Sequence, residues 1–186
     1  NLAAGLSQQK KKILVIDLDP QGNATTGSGL SNVESPGETI YGVLNGTKTI
    51  NEVIKKTSFQ NLDIITSNVD LSGLEVETAG DSKRAFILKD QLTAYLNDSR
   101  ALYDYILIDC PPSLSLLTVM ALVSSDSLVV PLQTEFFALE GLTQLMKTIE
   151  RIKVNLNPGL KIRGILLTMY DKRNKLSSQV EKEARD

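Results

Sequence analysis

The side chains in this chain best placed to do chemistry begin with two aspartates, Asp17 and Asp19, at the end of an apolar run. They lie in the stretch Asp17-Leu18-Asp19-Pro20-Gln21-Gly22-Asn23-Ala24-Thr25. On an extended segment, residues two apart share one side. Pro20 then stops ladder pairing, and Gly22 frees the backbone to turn. Such a pair can hold the hydration shell of a Mg2+ ion, or one acid can orient an attacking water. An acidic strand end followed by turn residues looks the same, and spacing alone leaves the two readings level.

A third acid, Asp109, closes the apolar part of Ile106-Leu107-Ile108-Asp109-Cys110-Pro111-Pro112-Ser113. This is the Walker B form, in which the carboxylate reaches Mg2+ directly or through water. Many buried strands also end in Asp, so the form is suggestive only in company. Pro111 and Pro112 fix the next segment in an extended path, which lets it act as a stiff lever.

What is missing narrows the chemistry. There is no histidine among the 186 residues, which excludes His-based triads, His general bases and His-ligated metals. The single cysteine, Cys110, rules out an intramolecular disulfide and points to a reducing compartment. Without a histidine to activate it, it reads as a small buried filler. No G-x-x-x-x-G-K-[ST] loop occurs, and Gly27-Ser28-Gly29 is not followed by lysine. The residues present can serve a hydrated metal, but none cradles a triphosphate.

These acids need a frame to position them. Residues 12–18 form a continuous apolar run ending in acid, the pattern of a strand buried on both faces. Residues 62–66, 105–109, 127–132 and 162–169 repeat it. Helical patterns lie between. Leu139, Leu142, Met146, Ile149 and Ile152 make an apolar stripe along 138–154, and residues 1–9, 83–96 and 176–185 are further helices. Strands alternating with helices, without hairpin signals, predict an α/β fold: a doubly wound, mostly parallel sheet with helices on both faces, in one domain over 1–186. The Gly-, Ser- and Thr-rich stretch 22–37 reads as a loop after a strand end, where such folds put ligands.

An apolar content of 41% and a charged content of 23% suit a soluble globular domain. No run approaches a membrane span, and the polar start is unlike a signal peptide. The net charge is −2, but it is unevenly spread. Residues 1–146 hold 10 Lys/Arg against 17 Asp/Glu, whereas residues 147–186 hold 10 against 5. That asymmetry fits a face that meets an anion, but charge alone favours the plainer reading, the solvated outer sides of two helices.

Four phrases, in order along nearly the whole chain, resemble the ParA/Soj partition ATPases of the deviant Walker A class: VIDLDPQGNATTGSGL, YDYILIDCPPSL, VVPLQTEFFALEGL and GILLTMYDKRNKLSSQV. The resemblance implies a P-loop-type ATPase that uses ATP and Mg2+. It makes Asp19 the catalytic, water-positioning acid of the first switch, with Pro20, Gln21 and Gly22. Asp17 and Asp109 become the acids that hold Mg2+, largely through water, and Pro111 and Pro112 open the second switch. Thr168, Met169 and Tyr170 correspond to the nucleotide-binding strand end and loop that approach the adenine, and Arg173 to a DNA-binding basic residue. That last match gives the basic C-terminal stretch a task. Residues 135–141 correspond to a family signature near the dimer face.

The implied partners are a second copy in an ATP-dependent homodimer, non-specific DNA and a ParB-type centromere-binding protein, with no membrane. The implied location is cytoplasmic and nucleoid-associated. NLAAGLSQQ resembles the continuation of the helix that follows the family's K-G-G-V-G-K-T-T loop, so the chain is expected to be clipped at both ends. Pro20-Gln21-Gly22 favours the partition branch over the MinD branch. A MinD-like or other cargo-positioning ATPase, or an inactive fragment without nucleotide binding, remains as the alternative.

Overall fold

The computed structural model describes residues 1–30, 35–98, 102–135 and 138–185. They fall into two compact units, Asn1–Ser124 and Ser125–Asp186.

The first unit is built on helix α1 (Leu2–Gln8), strand β1 (Ile13–Asp17) and short helices α2 (Asn23–Gly27), α3 (Ile40–Leu44) and α4 (Ile50–Val53). Strands β2 (Ile54–Lys56) and β3 (Leu62–Ile65) follow, then α5 (Leu74–Glu77), α6 (Ile87–Leu96), β4 (Tyr105–Asp109) and α7 (Leu116–Ser124). The strands form one sheet in the order β2-β3-β1-β4. β1 lies between β3 and β4 and is parallel to both. A strand in that position has neighbours on each edge and is covered on each face, which is why its sequence is apolar without alternation. Ile13, Leu14, Ile16 and Asp17 are all fully buried. Leu14 and Ile16 join Leu18, Ile40, Val43, Ile65, Leu74, Leu88 and Met120 in one core cluster.

The register sets the height of the acids. Ile13 pairs with Tyr105 and the ladder runs on until Asp17 stands beside Asp109. Two strands that run the same way and end at the same level therefore bring their terminal carboxylates to one end of the sheet.

The second unit pairs β5 (Ser127–Gln133) with β6 (Lys161–Thr168), again in parallel. Parallel neighbours need a crossover, which α8 (Ala138–Asn155) supplies before α9 (Lys175–Arg185) closes the unit. Ile149 and Ile152 of the α8 stripe are buried, as are Val130, Leu132, Leu160 and Val180.

The α/β class and the mostly parallel pairing agree with the sequence patterns, and so do the five strands read from apolar runs. The short helices α3 to α5 and the apolar α7 were not read from the sequence, and three further details differ. Within the loop-like 22–37, Asn23–Gly27 is helical, because the chain end of this turn is held by a buried carboxylate described below. A hairpin joins β2 to β3 in antiparallel fashion, with Asn61 in the left-handed region at its turn. The helix read over 83–96 is regular only from Ile87, after a 3-10 turn at Arg84–Phe86.

Candidate functional site

Asp17 is fully buried at the last position of β1, and no cation pairs with it among the described residues. A buried carboxylate without a countercharge must be satisfied by hydrogen-bond donors. Its Oδ2 accepts from the Thr25 backbone N–H and from the Thr25 hydroxyl, both at 2.7 Å. Its Oδ1 accepts from the Asp19 N–H at 3.2 Å. One carboxylate thus fastens both ends of the segment 19–25. The Thr25 hydroxyl also accepts from the Ser67 N–H at 3.0 Å, so the segment is tied to the chain leaving β3.

Between those fastenings the backbone turns tightly. The Gly22 N–H donates to the Asp19 carbonyl at 2.9 Å, and Asp19 Oδ1 accepts from the Gln21 N–H at 3.0 Å. Gly22 has φ +64°, and a Cβ there would lie 3.3 Å from the Ser67 carbonyl oxygen. Both the left-handed conformation and the close approach favour glycine at this position. Pro20 and Asp19 are half-buried and Gln21 is exposed.

Asp109 ends β4 beside Asp17, and its own carbonyl accepts from the Leu18 N–H at 2.7 Å. Unlike Asp17, its carboxylate takes no hydrogen bond from the described residues and stands exposed at the strand tip. Partial desolvation raises its pKa above the ordinary carboxylate range. The negative charges of Asp17 and Asp19 add to the rise, and the Asn1 amino group opposes it. Next to it, burial pushes the half-buried Cys110 thiol up to about 11, with Asp109 and Asp19 reinforcing the shift. The thiol therefore stays protonated and unreactive near neutral pH, in keeping with the filler reading.

Pro111 is half-buried and Pro112 is exposed. The Thr118 hydroxyl, in the first turns of α7, donates to the Ser113 carbonyl at 2.6 Å and approaches the Pro111 carbonyl at 3.4 Å. The loop after Asp109 is thereby hitched to α7. Buried side-chain oxygens without a partner among the described residues lie just beyond these strand ends: Thr66 and Ser67 after β3, and Ser115 before α7.

Sequence reasoning grouped Asp17, Asp19, Gly22 and Asp109, and the first unit brings all four to one end of its sheet. It did not identify Thr25 and Ser67 as the residues that hold them. The sole signal was Thr25 at the end of the acidic phrase; Ser67 is 42 residues further on and carries no motif. Among the described residues no group of three or more acidic, thiol or imidazole side chains converges tightly enough to enclose an ion. The donors here are carboxylates and hydroxyls, which suit a hard cation that keeps its waters, such as Mg2+. The repulsion felt by Asp109 would be relieved by such a cation.

The remaining sequence-derived residues belong to the second unit. Thr168 ends β6, and Met169 is 80% exposed with φ +53°, a conformation non-glycine residues rarely take. The Tyr170 hydroxyl donates to Glu181 at 2.5 Å, bracing this loop on α9. Arg173 is exposed and forms a two-pronged pair with Asp171, Nη2 to Oδ2 at 2.8 Å and Nε to Oδ1 at 3.1 Å. In the signature 135–141, Phe136 and Phe137 lie outside the described residues. No helix among the described residues is long and apolar enough to cross a membrane.

Comparison with known proteins bears on the family and the fold. Residues 1–162 match the AAA domain family. The chromosome partitioning protein ParA of Caulobacter vibrioides is 48% identical over 185 residues, which are 100% of this chain and 68% of that protein. The sporulation initiation inhibitor protein Soj of Bacillus subtilis is 43% identical over 100% of this chain and 71% of that protein. A crystal structure named cobyrinic acid a,c-diamide synthase from Mycobacterium smegmatis, with bound ADP and magnesium, superposes with a TM-score of 0.90. It shares 34% identity, over 100% of this chain and 73% of that one.

Proposed function

The chain belongs to the ParA/Soj-type partitioning ATPases, and on that premise we propose that the complete protein runs a DNA-segregation cycle. With ATP and Mg2+ bound it forms a homodimer that coats DNA without sequence preference. Hydrolysis, stimulated by a ParB-type centromere-binding partner, then releases it. The protein would work in the cytoplasm, on the nucleoid.

The observation that carries this reading is the register pair of Asp17 and Asp109 at one sheet end, with Asp19 on a hydrogen-bonded turn directly beyond. Nucleotide hydrolysis of this kind is phosphoryl transfer to water, governed by positioning and charge rather than by a covalent intermediate. Mg2+, when bound, neutralises charge that builds on the phosphoryl oxygens. Asp109 would hold it, with Asp17 behind, largely through water. Asp19 keeps one carboxylate oxygen on the Gln21 N–H, which leaves the other to accept a hydrogen bond from a water and aim it. Pro20, Gln21, Gly22, Pro111 and Pro112 form the two segments whose conformation would respond to the nucleotide. Thr168, Met169 and Tyr170 would approach the adenine. Arg173 would exchange Asp171 for a DNA phosphate, a contact that binds without reading sequence.

The test is co-sedimentation of the complete gene product with duplex DNA and, separately, with anionic liposomes, each with and without ATP. ATP-dependent binding to DNA alone is expected; binding to liposomes alone would overturn the partition reading. Asp19→Ala should still bind ATP and DNA while hydrolysis falls by about 100-fold or more, the scale of a lost acid–base or orienting group. Unchanged hydrolysis would remove Asp19 from its role.

A further inference from the structure

We propose that Thr25 is a positioning residue for hydrolysis, its hydroxyl holding the turn that carries Asp19 against the ends of β1 and β3. The inference rests on the reading of Asp19 given above.

The bonds inside the turn are local. Gly22 bonds Asp19, Gln21 bonds Asp19, and the Thr26 N–H reaches the Gly22 carbonyl at 3.0 Å. None of these fixes the turn relative to the sheet. That is done by Asp17 and, through Asp17, by Thr25. The Thr25 hydroxyl donates to Asp17 Oδ2 and accepts from the Ser67 N–H, so one buried oxygen joins the turn to two neighbouring strand ends. The other oxygen of the same carboxylate holds the Asp19 N–H. A rotation of the Asp17 carboxylate therefore moves the residue that aims the water.

Thr25→Val keeps the branched shape and the Thr25 N–H bond to Asp17 but removes the hydroxyl. Asp17 Oδ2 then keeps one of its two donors, and the Ser67 N–H loses its acceptor. The turn stays folded but is no longer pinned. Misplacing a reacting group by about 1 Å can lower a rate by about 100-fold. For Thr25→Val we expect kcat to fall by about 10- to 100-fold while KM for ATP stays within about twofold, because no contact to nucleotide is assigned to this residue. Thr25→Ser, which restores the hydroxyl, should return kcat to within about threefold of the parent.

The experiment measures steady-state ATP hydrolysis by the complete gene product for Thr25→Val, Thr25→Ser and Asp19→Ala, with thermal unfolding of each. A kcat loss in Thr25→Val that Thr25→Ser rescues supports the proposal. A lowered melting temperature with unchanged kcat, or a raised KM with unchanged kcat, overturns it and leaves Thr25 a structural or binding residue. If Asp19→Ala loses hydrolysis while Thr25→Val does not, the positioning role falls and the reading of Asp19 stands. If Asp19→Ala hydrolyses normally, both fall. Should Thr25→Val not accumulate as folded protein, amide exchange of the parent decides. Slow exchange at Thr25 and Ser67 is expected, and fast exchange at both would show that the link is not kept in solution.

Discussion

Replacing Asp17 should show how far the candidate site depends on one buried carboxylate. Three hydrogen bonds end on it, two at 2.7 Å to Oδ2 and one at 3.2 Å to Oδ1. Bonds to a charged group contribute about 1.5–3 kcal/mol each, and a buried N–H left unpaired costs about 1–3 kcal/mol. Against this, deleting the carboxylate removes the several kcal/mol spent in desolvating it. The Thr25 hydroxyl can turn to another acceptor, but the Thr25 N–H cannot. The net for Asp17→Ala is a loss of about 2–4 kcal/mol. Asp17→Asn keeps the volume and one acceptor oxygen; its amide oxygen can serve Thr25 while its NH2 is turned toward the Asp19 N–H, so about 1–2 kcal/mol should go. With a urea m-value of about 2 kcal/mol/M, the midpoint of the nucleotide-free protein should drop by about 1–2 M for Ala and by about half that for Asn. Urea unfolding followed by circular dichroism checks this. A midpoint for Asp17→Ala within about 0.3 M of the parent, or an Asn variant weaker than the Ala variant, would refute the hydrogen-bond account.

Asp109→Asn should act oppositely on stability and on function. Because partial desolvation and its acidic neighbours raise the Asp109 pKa in the fold, the folded protein binds a proton there before the unfolded chain does. Stability therefore increases as pH falls from the raised value toward the ordinary carboxylate range, and the penalty is fully present above it. At neutral pH Asp109→Asn should melt higher than the parent without nucleotide, an advantage that fades below about pH 4. Millimolar Mg2+ should raise the melting temperature of the parent and not that of the variant; a variant that melts lower at pH 7 would contradict the like-charge picture. Arg173→Glu should weaken DNA binding and flatten its salt dependence by about one unit of slope, while basal turnover holds. Asp171→Asn, which frees Arg173 from its pair, should instead tighten DNA binding, and equal affinities across all three proteins would return Arg173 to ordinary surface. Cys110, whose thiol is pushed up to about 11, should react with a disulfide reagent at pH 7.5 about 100-fold more slowly than a free thiol, and labelling at the free-thiol rate would show that its thiolate is not disfavoured.

How much of this could be read from the sequence depended on how local each feature's cause is. β1 was legible because a strand buried on both faces needs an unbroken apolar run, and residues 13–16 provide one; β4 shows the same run at 106–108, although it is the edge strand and those residues are half-buried. β2 was not, since Ile-Lys-Lys has no run to read and is a strand only because β3 accepts it in antiparallel register. α7 carries an apolar residue at nearly every position of LLTVMALVS, so it shows no helical stripe and its type is hidden by its burial. α8, with its stripe of every third and fourth residue, was plain. That Asp17 and Asp109 end up at one sheet end was legible because each closes an apolar run and the ladder sets the two runs side by side. The Thr25–Ser67 link was not, because neither residue is unusual and only the packing of β3 beside β1 makes them neighbours.

The contrast between Asp17 and Asp109 carries the argument furthest. They are the same residue type, they close the same kind of apolar strand, and the ladder sets them side by side. Yet Asp17 is buried with donors on both oxygens, and Asp109 is exposed with none among the described residues. A carboxylate that is already satisfied has little left to offer an ion, whereas one that is crowded by like charge and unsatisfied gains from one. The division of labour follows from that difference. On the proposed reading Asp109 would be the acid that gains most from the cation, and Asp17, behind it, would chiefly shape the turn on which Asp19 sits. Mg2+ should therefore lose affinity more in Asp109→Asn than in Asp17→Asn, while Asp17→Asn should reduce kcat beyond what its loss of Mg2+ affinity explains. Titrating hydrolysis with Mg2+ separates the two: saturating Mg2+ that fully rescued Asp17→Asn would make it a metal acid after all.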